Sequence, residues 1–79
     1  MEIRSRKDIL IDIRNQVLDQ LLRLEVDIKF FTRQLLLIKD DKERTDALNK
    51  KSGSEQGAKF KKSVLECIDD LIAQEEKTN

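Results

Sequence analysis

The 79-residue chain contains no histidine, no proline and a single cysteine, Cys67. One cysteine cannot form a disulfide within the chain, and without histidine it has no companion ligands for a structural zinc ion. A domain of this size buries only roughly 60% of its unfolded surface, and small domains usually compensate with disulfides, metals or oligomerisation. Because the chain lacks the residues for a disulfide or a metal site, we expect stability to come from self-association or from docking on a larger protein.

The chain also has no excess of positive or negative charge and no long apolar run. Sixteen lysine and arginine residues balance sixteen acidic ones, whereas a dedicated nucleic-acid-binding protein is usually basic. The longest uninterrupted apolar run, from Leu35 to Ile38, is far short of the roughly 20 residues that a membrane span requires. The amino-terminal residues do not resemble a signal peptide. We therefore expect a cytoplasmic, reducing location and no membrane insertion.

No residue pattern indicates catalysis, a cofactor or a metal site. Cys67 lacks the histidine that usually activates a thiol, and its spacing from apolar neighbours favours a small buried core residue. Adjacent carboxylates such as Asp69 and Asp70 point about 100° apart on a helix, so they cannot act together on one substrate atom. Metal sites in helical bundles typically use a Glu-x-x-His pair. We predict that the protein is not an enzyme and has no cofactor.

The residues that are present are typical of long helices, since 41% are charged and 38% are hydrophobic. Ser5, followed three residues later by Asp8, marks a helix start. Beyond it, apolar residues recur at alternating spacings of three and four, which predicts a seam that packs against another helix. The seam and its neighbour Leu18 form the predicted oligomer or partner interface, which comprises Leu10, Val17, Leu18, Leu21, Leu24, Ile28, Phe31, Leu35 and Ile38.

The apolar surface of this first helix is wider than a two-stranded coiled coil needs. Ile11 and Ile13 flank the seam, while Leu22 and Leu36 lie further round the helix. The alternation between Leu22 and Phe30 also fits a strand, but no turn residues nearby would pair it with a second strand, so a helix is favoured. A helix that is apolar on most of its circumference has several neighbours. The pattern therefore predicts a bundle of three or four helices.

The chain is predicted to be a single all-α domain, a helical hairpin with a long first helix and a shorter second one. Helix 1 is expected at about 6–49 and helix 2 at about 57–74. Both glycines and two serines lie near residues 50–56, which we predict to be the loop. Residues 75–79 are expected to form a frayed tail.

Because the predicted second helix is the shorter one, it should leave much of the seam around Leu10, Val17 and Leu24 uncovered. A second hairpin would cover this strip in an antiparallel four-helix bundle or coiled coil. An antiparallel arrangement also keeps the basic seam residues Lys7 and Arg14 away from their own copies. The sequence thus favours an association between antiparallel chains.

These patterns favour a small non-catalytic protein–protein interaction module that acts by helix–helix association, as an adaptor, co-chaperone, assembly factor or regulator. The expected partners are a second copy, foremost in a homodimer, and another protein. One alternative is a nucleic-acid-associated regulator that contacts phosphates through the basic loop region of Lys50, Lys51, Lys59, Lys61 and Lys62. We expect no aromatic residue to stack on bases beside these lysines.

A further alternative is a small hairpin-type phosphatase or an inhibitor of a signalling protein. Short sporulation-control phosphatases are helical hairpins that carry a Ser-Gln-Glu-Leu-Asp signature in the second helix. The stretch from Leu65 to Asp69 matches that signature only at its aspartate. This alternative therefore rests on the hairpin outline alone.

Overall fold

The computed structural model describes residues 3–77, which form two antiparallel α-helices. Helix α1 spans Arg6–Leu37 and helix α2 spans Asp41–Lys77. The two helices pack against each other along their length, and the molecule is a thin rod of 58 × 24 × 14 Å. The predicted all-α helical hairpin is confirmed.

Helix α1 begins where the sequence indicates. The Ser5 side-chain oxygen accepts a hydrogen bond from the Asp8 backbone N–H at 3.1 Å, and the Ser5 carbonyl accepts one from the Ile9 N–H at 3.1 Å. These bonds satisfy donors that would otherwise lack a partner in the first turn. The Asp8 carboxylate also lies in that turn, near the positive end of the helix dipole.

The turn between the helices lies at residues 38–40. The predicted loop at 50–56, the predicted end of helix 1 near residue 49 and the predicted bounds of helix 2 at 57–74 are therefore wrong, whereas the predicted start of helix 1 agrees with Arg6. The backbone of Ile38 is extended. Asp40 then caps α2, because its carboxylate accepts from the Glu43 N–H at 3.0 Å and its carbonyl accepts from the Arg44 N–H at 2.9 Å. The Arg44 guanidinium donates to the Leu35 carbonyl at 2.6 Å and so closes the end of α1. Polar capping ends the first helix here without any glycine.

Both glycines lie inside α2, where their low helix propensity was expected to break the helix. Gly57 faces α1 closely, since a Cβ atom there would lie 3.3 Å from Cδ1 of Leu24. A Cβ atom at Gly53 would meet nothing within 4 Å. Gly57 therefore permits a close approach of the two helices, whereas Gly53 serves no such packing role.

Replacing Gly53 by alanine should raise the free energy of unfolding by roughly 0.5–1 kcal/mol, because alanine restricts the unfolded chain more than glycine does. The matched change Gly57→Ala should give less or no gain, since its methyl group would press on Leu24. Urea unfolding of both variants at one protein concentration measures the difference. Equal gains at the two positions would contradict the close approach at Gly57.

The core is a single row of side chains between the helices. Among the described residues, those with buried side chains are Leu21 on α1 and Ala47, Ala58 and Ile68 on α2. The side of α2 that faces α1 changes in size along its length, from small residues near the turn to large ones near the open end. The buried or half-buried positions of α2 are Ala47, Lys51, Ser54, Gly57, Ala58, Lys61, Val64, Leu65, Ile68, Ile72 and Glu75.

Helix α2 is long enough to cover the whole of α1, which corrects a second expectation. Leu10, Val17 and Leu24, which the shorter predicted helix would have left uncovered, are half-buried. The apolar surface that remains outside the hairpin is therefore not an uncovered end of the seam. It lies on the flanks of both helices.

Candidate interaction surface

Large apolar side chains remain exposed on most sides of the hairpin. A single neighbouring helix can cover only one face of α1, and α1 is apolar well beyond that face. Extended apolar surface on a folded chain is typical of sites that bind another protein. The exposed apolar residues of the two helices are Ile9, Ile11, Ile13, Leu18, Leu22, Val26, Phe30, Leu36, Leu37, Leu48, Phe60 and Leu71.

Two stripes of α2 flank the row that faces α1, and they differ in charge. At about 100° per residue, positions three and four apart share a side of a helix. One stripe, which we call the uncharged flank, consists of Gly53, Gly57, Phe60, Val64, Cys67, Leu71 and Gln74. Gly57 and Val64 are half-buried, and the other five positions of this flank are exposed. The opposite stripe, the charged flank, consists of Glu55, Lys59, Lys62, Glu66, Asp69, Ala73 and Glu76.

The stripe of α1 that lies on the same side of the hairpin as the uncharged flank has both charged and uncharged residues. Near the turn, Phe30 and Gln34 of α1 line one groove together with Asp46 and Lys50 of α2. Positions seven residues apart return to nearly the same side of a helix. Steps of seven from Phe30 lead to Arg23, Gln16 and Ile9, and steps of seven from Gln34 lead to Asp27, Gln20 and Ile13. The side of α1 beside the uncharged flank is therefore uncharged only from Ile9 to Gln20, and it carries Arg23 and Asp27 closer to the turn.

The groove near the turn is small and open. Its volume is about 250 Å³, and the Phe30 and Phe31 rings form part of its wall with their centroids 5.3 Å apart. The side chains of Glu43, Asp46 and Lys50 border the same groove. Ligand-binding pockets typically enclose roughly 300–1,000 Å³, so this groove offers little enclosure for a small molecule.

The structure brings most of the predicted interface residues together inside the hairpin. Leu21 is buried, and Leu18 is exposed at 36%. The other seven residues are half-buried on the side of α1 that packs against α2, namely Leu10, Val17, Leu24, Ile28, Phe31, Leu35 and Ile38. Their contact with a second chain stays a prediction, and Leu18 is the member of the set whose side chain lies open to one.

Cys67 is exposed, so its expected burial in the core is wrong. The apolar residues of α2 divide into two stripes, of which one faces α1 and the other lies on the uncharged flank. Ile68 lies in the buried row, and the preceding residue therefore points about 100° away, onto the uncharged flank. The sequence pattern that indicates this flank is the absence of charged residues at every third or fourth position from Gly53 to Gln74, which was not recognised from the sequence.

The five lysines of the predicted basic patch lie along α2 and do not surround a loop. Lys50 pairs with Asp46 at 3.7 Å. The Lys61 ammonium lies 6.0 Å from the centre of the Phe60 ring, and Lys51 is half-buried beside α1. Lys59 and Lys62 are exposed on the charged flank, where Glu55 and Glu66 flank them in sequence. Acidic residues thus interrupt the positive surface that a phosphate backbone would follow.

The basic residues near the start of α1 are neutralised by acidic partners. Arg4 pairs with Asp12. Three others reach across to the end of α2, where the nitrogen–oxygen distances are 2.6 Å for Arg6–Glu75, 3.2 Å for Lys7–Glu76 and 2.8 Å for Arg14–Asp69. Exposed pairs of this kind contribute at most about 1 kcal/mol each. Their main effect is to favour one antiparallel register at the open end of the hairpin.

Within residues 3–77, no cluster of three or more histidine, cysteine, aspartate or glutamate side chains could hold a metal ion. In the same part of the chain, neither helix combines the length and the hydropathy needed to cross a membrane. Comparison of the chain with protein-family models, with curated proteins and with solved structures finds no match.

Proposed function

We propose that this chain is a small non-catalytic protein–protein interaction module that acts by helix–helix association in the cytoplasm, as an adaptor, co-chaperone, assembly factor or regulator. The observation that carries the proposal is the imbalance between buried and exposed apolar side chains. Within the described residues, four apolar side chains are buried, whereas the exposed ones include Phe30, Leu36, Leu37 and Phe60.

The shape of the hairpin supports the same proposal. Its radius of gyration is 17.9 Å, whereas a compact domain of this length would have a value of about 12 Å. A two-helix rod has no interior in which a second layer of side chains could be buried. Packing against further helices supplies that layer, as in three- and four-helix bundles.

A catalytic role has no comparable support. Chemistry on a substrate usually needs a pocket in which several polar groups converge. The groove near the turn is open, and the thiol of Cys67 is exposed with no histidine in the chain to activate it. Non-catalytic binding is the function that the exposed apolar flanks suit best.

Concentration-dependent unfolding and affinity capture together test the proposal. If the chain acts by association, its melting temperature should rise by several degrees between 1 and 100 µM through self-association, or the chain should bind a protein partner from its native lysate. An unfolded variant, Leu21→Asp, controls for non-specific adhesion in the capture. A folded monomer at 100 µM that retains no more protein than this control would falsify the proposal.

A further inference from the structure

We propose that the uncharged flank of α2 is the docking surface for a second copy of this chain, and that the two copies pair with their α2 helices antiparallel. This inference rests on the proposed function and specifies both the face and the partner. The resulting dimer is a four-helix bundle in which each α2 contacts its own α1 through one face and the partner's α2 through the adjacent face, about 100° round the helix.

The charge distribution identifies the face. In a chain that is 41% charged, the uncharged flank has no charged residue at seven successive positions between Gly53 and Gln74. The charged flank has six charged residues at its seven positions over the same length. Charged residues are depleted from the centres of protein interfaces because they lose hydration there. Of the two flanks, the uncharged one therefore suits burial.

The sizes of the side chains identify the partner and its direction. The uncharged flank begins with Gly53 and Gly57 and ends with Leu71 and Gln74. Leu24 of the same chain already lies against Gly57, so Gly53 is the open glycine of the flank. In an antiparallel pair centred near Val64, the end of one copy that contains Gly53 lies beside the end of the other that contains Leu71 and Gln74. In a parallel pair, glycine would face glycine and leave a gap, while each large side chain would face its own copy. Facing surfaces pack best when large and small residues alternate across them.

The exposed area is sufficient for a dimer. The chain has 6566 Å² of accessible surface, whereas a compact monomer of its mass would expose about 5,000 Å². A stable interface of standard size buries about 800 Å² on each partner. The excess surface of the hairpin therefore exceeds what one such interface requires, and a symmetric pair uses the same face of both copies.

Two charge-introducing variants with nearly equal exposure test the face. Phe60 on the uncharged flank is 64% exposed, and Val26 on the far side of α1 is 67% exposed. Sedimentation equilibrium of the full chain at 100 µM should give twice the chain mass for the wild type and for Val26→Lys. The variants Phe60→Lys and Leu71→Lys should give the mass of one chain, with helical circular dichroism retained. A monomeric wild type, or a dimer that neither flank variant weakens, overturns the inference.

Spin-label distances test the direction without disrupting the face. A nitroxide on the native Cys67 should give an interchain distance below about 20 Å, because the residue lies near the centre of the antiparallel pair. A label on Asn49→Cys, in a Cys67→Ser background, should give an interchain distance of about 45 Å. This is twice the axial distance from residue 49 to the centre of the pair near Val64, at a rise of about 1.5 Å per residue. Short distances at both positions indicate a parallel pair and overturn the inference.

The outcomes separate this inference from the proposed function. A dimer that persists in Phe60→Lys and Leu71→Lys rejects the uncharged flank but leaves helix–helix association in place. A folded monomeric wild type that binds a different protein rejects the second copy as the occupant and again leaves the function standing. A monomer with no partner rejects both.

Discussion

Replacing Leu21 by alanine should lower the free energy of unfolding by about 2–5 kcal/mol, because it removes buried methyl groups and leaves a cavity. Leu21 is 6% exposed and is the one buried side chain that α1 contributes within the described residues. A domain of this size has only about 5 kcal/mol of stability or somewhat more. Urea unfolding followed by circular dichroism should therefore show a variant that is largely unfolded at low denaturant concentration.

The neighbouring residue provides the control for this prediction. Leu22 is 52% exposed, and its replacement by alanine removes the same atoms without creating a cavity in the hairpin. Its effect on the free energy of unfolding should stay near 0.5 kcal/mol, as for most surface substitutions. Similar losses at the two positions would show that the face of α1 that packs against α2 has been misassigned.

Replacing Gly53 by proline should destabilise the protein by about 3 kcal/mol or more, because a proline inside a helix removes one backbone hydrogen bond and clashes with the preceding turn. Gly53 lies well inside α2. In a loop at 50–56, the same proline would be tolerated. The loss of helical circular dichroism and the shift in urea midpoint measure the effect.

A proline in the observed turn is the matched control. Ile38 already has an extended backbone, with φ −76° and ψ 127°, which is the conformation that a residue before proline prefers. The variant Lys39→Pro should therefore lose much less stability than Gly53→Pro. The reverse order of stability would place the connection at the glycines, as the sequence pattern indicated, and would contradict the turn at 38–40.

The sequence predicted the type of fold because the helical periodicity of α1 is long and strong. The start at Ser5 was also predictable, since a side-chain cap leaves a local signature that does not depend on packing. The position of the turn was not predicted, because two glycines were weighted above a second capping signature, Asp40 followed three residues later by Glu43. Glycine costs a helix only about 1 kcal/mol, and packing against α1 offsets that cost at Gly57.

The candidate surface was predicted less well than the fold. The residues chosen as an interface lie mostly inside the hairpin, because a heptad seam identifies a buried face without specifying which helix buries it. The uncharged flank depends on the rotation of α2 relative to α1. Ile68 and Ala58, which lie in the buried row, and Phe60, which lies outside it, define that rotation.

The sparse core also bears on the lifetime of the protein in a cell. With four apolar side chains buried in residues 3–77, an unassociated copy has little beyond marginal stability to protect it from proteases that act on opened chains. Copies in excess of their binding partner should then be degraded first, which would match the amount of this chain to the amount of its partner. A pulse–chase measurement should show a shorter half-life for the Phe60→Lys variant than for Val26→Lys at equal expression.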